Sequence, residues 1–113
     1  MSRAEFELQV TGNGDTSKPA EVTVTGEVDA SNVDEFARSL EDLPGARPVI
    51  LQLSAIKYLD SAGFSALDRL LADDAIVIVL APDSFMYRVA ELMCMPIHHD
   101  IDSARRVLQD GAG

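Results

Sequence analysis

Cysteine and long apolar segments are almost absent from this sequence. Cys94 is the only cysteine among 113 residues, so no disulfide can form within the chain. No segment approaches the roughly 20 consecutive apolar residues that a membrane-spanning helix needs. The first ten residues also lack the apolar segment of a secretory signal. These absences predict a cytoplasmic protein without a membrane span.

Basic residues are scarce as well. Nine lysines and arginines stand against 19 aspartates and glutamates, which gives a net charge of −10. Binding to nucleic acid needs clustered basic side chains that displace the counterions of the phosphates, and the only basic pair is Arg105-Arg106. We therefore expect no nucleic-acid partner. The acidic surface can steer the protein toward a basic partner, but it does not identify that partner.

Motifs for cofactors and metals are also missing. Residues 12–15, Gly-Asn-Gly-Asp, have too few glycines for a dinucleotide loop and lack the Lys-Ser/Thr pair of a P-loop, so they predict a turn. His98 and His99 are adjacent, and adjacent side chains of a strand point to opposite faces, which disfavours a shared metal ion. We therefore expect no metal and no cofactor, whereas nucleotide binding by the domain stays open.

Catalytic patterns are not recognisable either. Ser61 lies outside the Gly-x-Ser-x-Gly pattern of a hydrolase, and no spacing links it to either histidine. Cys94, between Met93 and Met95, is expected to pack in the interior; the alternatives are an intermolecular disulfide and a reactive thiol. The sequence therefore predicts a protein that is not an enzyme.

Strands and helices alternate along the chain. Residues 4–10 and 21–28 alternate apolar and polar positions, which predicts two strands that pair antiparallel. Further strands are predicted at 48–56, 75–81 and 97–100, and helices at 29–43, at 61–71, between 84 and 95, and at 103–109. This order predicts an α/β fold in one domain over residues 1–113. The expected architecture is a largely parallel sheet with an N-terminal antiparallel strand and helices packed on the sheet.

Apolar positions indicate which parts of these elements are buried. The runs 49–53 and 76–80 are almost entirely apolar, which predicts two adjacent parallel strands covered on both faces. Asp29 or Ser31 is expected to cap the first helix. The helix positions expected to face the core are Val33, Phe36, Ala37, Leu40, Leu43, Phe64, Leu67, Leu70, Leu71, Phe85, Val89, Leu92 and Met93.

The corner between the third strand and the second helix carries Asp60, Ser61, Ala62 and Gly63. Ser61 lies where the helix begins, so it is either an N-cap or a regulatory serine whose phosphate the free N–H groups and the helix dipole would tolerate. The small residues Ala62 and Gly63 leave room for a partner to approach the backbone. Asp29 ends the second strand as Asp60 ends the third, and parallel strands end at the same edge, so we expect Asp29 and Ser61 on one surface.

Two segments resemble the signature of the STAS domain family, which includes anti-sigma factor antagonists and the tails of sulfate transporters. The segment LSAIKYLDSAGFSALDRLL resembles the family's strand end Asp-Ser-Ser/Thr-Gly, with Asp60, Ser61 and Gly63 matching the acid, the phosphorylated serine and the glycine. The segment TGEVDASNVDEF resembles a second block, Gly-Glu-hydrophobic-Asp, at residues 26–29. Ala62 departs from the family's second serine or threonine, which leaves Ser61 as the sole acceptor in the corner.

The resemblance implies a switch protein. In this family the unphosphorylated domain binds an anti-sigma factor, which is often itself the serine kinase, and thereby frees a sigma factor; a phosphatase resets the cycle. The resemblance implies phosphorylation at Ser61 and partner binding by Asp29, Asp60, Ser61, Ala62 and Gly63. The alternative that it leaves open is a STAS subunit of a transporter or of a stress-signalling complex.

Overall fold

The computed structural model describes residues 4–11 and 18–111, and the turn expected at 12–15 lies outside the described residues. The order of strands and helices follows the predicted alternation, with one additional strand. Within the described residues the elements are β1 (Phe6–Thr11), β2 (Pro19–Val28), α1 (Val33–Glu41), β3 (Ala46–Gln52), β4 (Ile56–Leu59), α2 (Ser61–Ala72), β5 (Ile76–Val79), α3 (Phe85–Leu92), β6 (Ile97–His98) and α4 (Ile101–Gly111).

The strands form one mixed sheet in the order β1-β2-β3-β5-β6, and β4 pairs with β2 beside this path. β1 and β2 are antiparallel, and the other pairs are parallel, as the sequence predicts. Val49 lies opposite Ile76, and the register continues to Gln52 opposite Val79. The prediction that the two apolar runs form adjacent, parallel and buried strands is therefore confirmed.

The prediction of a single strand at 48–56 is wrong, because a turn separates β3 from β4. Ser54 donates both its N–H (2.9 Å) and its hydroxyl (2.5 Å) to the side-chain oxygen of Gln52. This local side-chain bonding competes with the ladder and breaks the strand. β2 spans 10 residues, and its first part pairs with β3 while its second part pairs with β4. The end of β4 thereby lies next to the end of β2.

Both faces of the central strands are covered. The larger core cluster lies beneath α1, α2 and α3 and includes Leu51 and Ile78. Ile50 and Val79 are their neighbours along the strands and point the opposite way, where they pack with Ala104 of α4. Toward the edge of the sheet, the ring of Phe6 packs edge-on against Phe36, with centroids 5.4 Å apart.

The buried faces expected in α1 and α2 are confirmed by the burial of Phe36, Leu40, Phe64, Leu67 and Leu70. Of the four positions expected to be buried in the third helix, Val89 packs against the core and the other three are wrong. Phe85 is 72% exposed and Leu92 is 80% exposed, and Met93 is exposed as well. Met86 and Ala90, four residues apart, face the core instead. The helix carries apolar residues around most of its circumference, so periodicity alone could not select the buried face.

In the described part of the chain, no helix is long and apolar enough to cross a membrane.

Candidate functional site at the carboxyl edge of the sheet

The ends of β2 and β4 bring Asp29 next to the corner that begins with Asp60. Val28 lies opposite Leu59 in the parallel ladder, so the next residues, Asp29 and Asp60, follow side by side at the carboxyl edge. The backbone N–H of Asp60 donates to the carbonyl of Val28 at 3.3 Å. The expectation that Asp29 and Ser61 belong to one edge of the sheet is therefore met.

Asp60, and not Ser61, caps α2. One oxygen of the Asp60 carboxylate (Oδ1) accepts the backbone N–H of Gly63 at 3.0 Å. The other oxygen (Oδ2) accepts the N–H of Ala30, in the loop after β2, at 3.2 Å. Asp60 takes the cap position because its extended backbone lets the side chain turn back over the first turn of the helix. The interpretation of Ser61 as the N-cap is wrong.

Ser61 is the first residue of α2 and is exposed. Since Asp60 provides the cap, the Ser61 hydroxyl is not needed to satisfy the helix terminus. Ala62 follows and is half-buried. An exposed hydroxyl at the first helical position is accessible to a modifying enzyme, and the dipole of α2 favours negative charge there.

Packing inside the domain leaves no room for a side chain at Gly63. This glycine is buried, and a Cβ at this position would lie 2.4 Å from Cδ1 of Leu59 and 3.4 Å from the carbonyl oxygen of Val28. The glycine therefore allows α2 to pack closely on the ends of β2 and β4. From the sequence, Ala62 and Gly63 were interpreted as leaving room for a partner. The close packing of Gly63 against Leu59 was not predicted.

The loop after β2 is ordered by two side chains. The Asp29 carboxylate accepts the hydroxyl of Ser31 at 2.6 Å and its N–H at 2.8 Å. The bonds from the Ser31 hydroxyl and N–H hold the pKa of Asp29 below its ordinary value, because they stabilise the charged carboxylate. Asp29 or Ser31 was expected to cap α1, and this is wrong, because the cap position belongs to Asn32.

Asn32 is the site residue that the sequence did not reveal. It is only 4% exposed and is the buried polar residue among those described. Its side-chain oxygen accepts the N–H of Asp29, and its amide group donates to the carbonyls of Ala4 and Glu27. Asn32 therefore anchors the loop to β2 and to the residues just before β1. The sequence did contain one indication of this role. An asparagine just before a helix usually forms side-chain hydrogen bonds with nearby backbone groups.

The other candidate residues lie apart from this edge. Cys94 is exposed at the end of α3, so its expected packing in the interior is wrong. His99 contacts the hydroxyl of Tyr87 at 3.1 Å through Nε2. Among residues 4–11 and 18–111, no three His, Cys, Asp or Glu side chains are grouped to hold a metal ion.

The mixed sheet and the Asp60–Gly63 corner define a STAS domain. The sequence profile of that family matches residues 7–74, more than half of the chain, and the protein belongs to the STAS domain family. The resemblance noted in the sequence is thereby confirmed.

Two solved structures share this fold. The crystal structure of an anti-sigma factor antagonist from Mycobacterium paratuberculosis is 19% identical, with a TM-score of 0.62 over 90% of this chain and 95% of that one. The anti-sigma factor antagonist SpoIIAA in its unphosphorylated form is 14% identical, with a TM-score of 0.57 over 93% of this chain and 97% of that one. No sequence among the curated proteins matches. At these identities the similarity establishes the fold.

Proposed function

We propose that this STAS domain is an anti-sigma factor antagonist that phosphorylation of Ser61 switches off. The observation that carries the proposal is the exposed Ser61, which is the first residue of α2 and does not serve as its cap, because Asp60 does. The anti-sigma factor antagonists that share the fold support the same role. The domain acts by binding and release and is not itself a catalyst.

The partner surface in this proposal is the edge formed by Asp29, Asp60, Ser61 and Ala62, with Gly63 holding α2 in place. An anti-sigma factor would cover this edge and release its sigma factor. Where the anti-sigma factor is the serine kinase, it transfers the γ-phosphoryl group of ATP to Ser61 Oγ. The new Oγ–P bond forms as the bond to ADP breaks, and the hydroxyl proton is released. A phosphatase then hydrolyses the phosphoserine with water and restores the serine.

Charge explains why the modification would end binding. Phosphorylation adds about −1.5 to −2 charges at neutral pH to an edge that already carries Asp29 and Asp60. The N-terminus of α2 stabilises part of that charge, so the fold of the domain is retained. A partner that buries the edge leaves the new charge without a counterion, which costs several kcal/mol. Because each 1.4 kcal/mol is tenfold in affinity, we expect a loss of about two to four decades.

The test uses tagged wild-type, Ser61→Ala, Ser61→Glu and Ser65→Glu proteins to capture partners from the source cells, followed by calorimetric titration of the captured protein. Ser65 is exposed on α2, so Ser65→Glu adds the same charge one turn away from the corner. An anti-sigma factor should bind wild type, Ser61→Ala and Ser65→Glu and should bind Ser61→Glu weakly. Incubation with ATP should phosphorylate wild type at Ser61 and leave Ser61→Ala unmodified.

Two results would contradict the proposal. Capture of a transport ATPase or a permease would favour the alternative of a transporter subunit. Equal affinity of an anti-sigma factor for wild type and Ser61→Glu would show that Ser61 does not control binding.

A further inference from the structure

We infer that the Asp60 carboxylate transmits the phosphorylation state of Ser61 to the loop of residues 29–32. This inference rests on the proposed function, since it concerns how the same switch is conveyed. Asp60 is thereby a positioning residue, and the partner surface changes shape as well as charge.

The first support is that the two carboxylate oxygens serve different elements. Oδ1 accepts the N–H of Gly63, inside the first turn of α2, at 3.0 Å. Oδ2 accepts the N–H of Ala30, thirty residues earlier in the chain, at 3.2 Å. A rotation of this one side chain therefore affects both the helix terminus and the loop.

The second support is that the loop has no comparable link to α2. Its other side-chain bonds are internal, between Asp29 and Ser31 and between Asn32 and Asp29, or they run from Asn32 to Ala4 and to Glu27 of β2. Among the side-chain hydrogen bonds of the described residues, only the bond from Ala30 to Asp60 joins the loop to the corner at Ser61.

A phosphate on Ser61 would disturb this bond directly. Phosphoserine 61 would be adjacent to Asp60 along the chain, and its oxygens are strong acceptors for the N–H groups at the start of α2. The negative phosphate would repel the negative Asp60 carboxylate. The two hydrogen bonds that this carboxylate accepts would weaken to different extents. The Ala30 bond lies at the long end of the N–H···O range, so we expect it to be lost first. The loop that carries Asp29 would then lose its tie to α2.

Amide NMR of the free wild-type and Asp60→Asn proteins tests the geometry. If one carboxylate accepts both N–H groups, the amide signals of Ala30 and Gly63 should both move in Asp60→Asn, and exchange with solvent should become faster at Ala30 alone. Asparagine keeps one oxygen for the cap and replaces the other with an amide group that cannot accept, so Gly63 should keep its bond while Ala30 loses it.

The transmission is tested by Ser61→Glu and by the phosphorylated protein, with Ser65→Glu as the control for added charge on α2. Ser61→Glu should move the Ala30 amide signal toward its position in Asp60→Asn and should make its exchange with solvent about tenfold faster. Ser65→Glu should do neither. Adding Ser61→Glu to Asp60→Asn should produce no further change at Ala30, because the bond is already absent.

The inference fails if Asp60→Asn leaves the solvent exchange of the Ala30 N–H unchanged, or if the Ala30 signal is unmoved by both Ser61→Glu and phosphorylation. These measurements need no partner, so they separate the two proposals. Loss of partner binding with an unmoved Ala30 would leave the proposed function standing and refute the transmission. A moved Ala30 with equal partner affinity for all forms would support the transmission and refute the proposed function.

Discussion

Gly63 lies so close to Leu59 that a methyl group at position 63 would come within 2.4 Å of Leu59 Cδ1 and 2.9 Å of its Cγ. Alanine is the better helix former by about 1 kcal/mol, and an exposed glycine replaced by alanine would stabilise α2. At this buried position we expect the clash to dominate, so that Gly63→Ala lowers the free energy of unfolding by about 1–3 kcal/mol. Urea denaturation measures the change.

The double variant Gly63→Ala/Leu59→Ala is the control for this cause. If the contact with Leu59 is responsible, the two effects should be clearly less than additive, because shortening Leu59 makes room for the new methyl group. A Gly63→Ala protein more stable than wild type would contradict the close packing.

Asp60 and Ser61 should differ sharply in their contributions to stability. Asp60→Ala removes the cap of α2 and the bond to Ala30, so we expect a loss of about 0.5–2 kcal/mol. Ser61→Ala alters an exposed residue that does not cap the helix, so its effect should stay within about 0.5 kcal/mol. Thermal and urea denaturation of the two variants, side by side, measure both values. A larger loss for Ser61→Ala than for Asp60→Ala would contradict this assignment.

The same substitution on two helices tests the orientation of α3. Leu67 on α2 is 1% exposed and Leu92 on α3 is 80% exposed. Leu67→Ala should cost about 2–5 kcal/mol, because it removes buried methyl groups and leaves a cavity. Leu92→Ala should change the free energy of unfolding by no more than about 0.5 kcal/mol. Similar losses for both variants, measured by urea denaturation, would show that the face of α3 that carries Leu92 is packed in solution.

The centre of the sheet could be predicted because its signal is local and strong. The apolar runs that contain Val49 and Ile76 favour strands covered on both faces, and the alternation of Phe6, Leu8 and Val10 favours a strand with one buried face. The division at Ser54 could not be predicted, because Leu53 and Ile56 on either side stay buried and the apolar pattern continues through the turn.

The position of the candidate site could be predicted from the sequence, but the hydrogen bonds within it could not. Asp60 and Ser61 are both favourable caps, and local preference does not decide between them. Asp60 gains an additional bond to Ala30, and the position of Ala30 depends on how β4 pairs with β2. Asn32 was missed for a related reason, since its partners Ala4 and Glu27 come together only in the folded sheet. Contacts between distant parts of the chain leave no local pattern.

The pKa of the Asp29 carboxylate should lie below its ordinary value because of the bonds from Ser31. The Ser31 hydroxyl at 2.6 Å is the main cause of the lowered pKa, and the Ser31 N–H at 2.8 Å adds to it. Since the pKa is lower in the folded than in the unfolded state, these bonds stabilise the fold above the ordinary value of 3.8, and that stabilisation is lost as the pH falls through the lowered pKa.

Ser31→Ala should raise the pKa of Asp29 toward its ordinary value, because only the backbone N–H then remains as a donor. Ser31→Thr should keep the lowered pKa, because threonine retains the hydroxyl. Carbon-detected NMR of the Asp29 carboxyl group in an acid titration measures all three proteins. Both variants alter an exposed residue, so the fold should be retained and the comparison should report on the hydrogen bond alone. An unchanged midpoint in Ser31→Ala would show that the hydroxyl does not lower the pKa of Asp29, and the order of the loop would then have to come from Asn32.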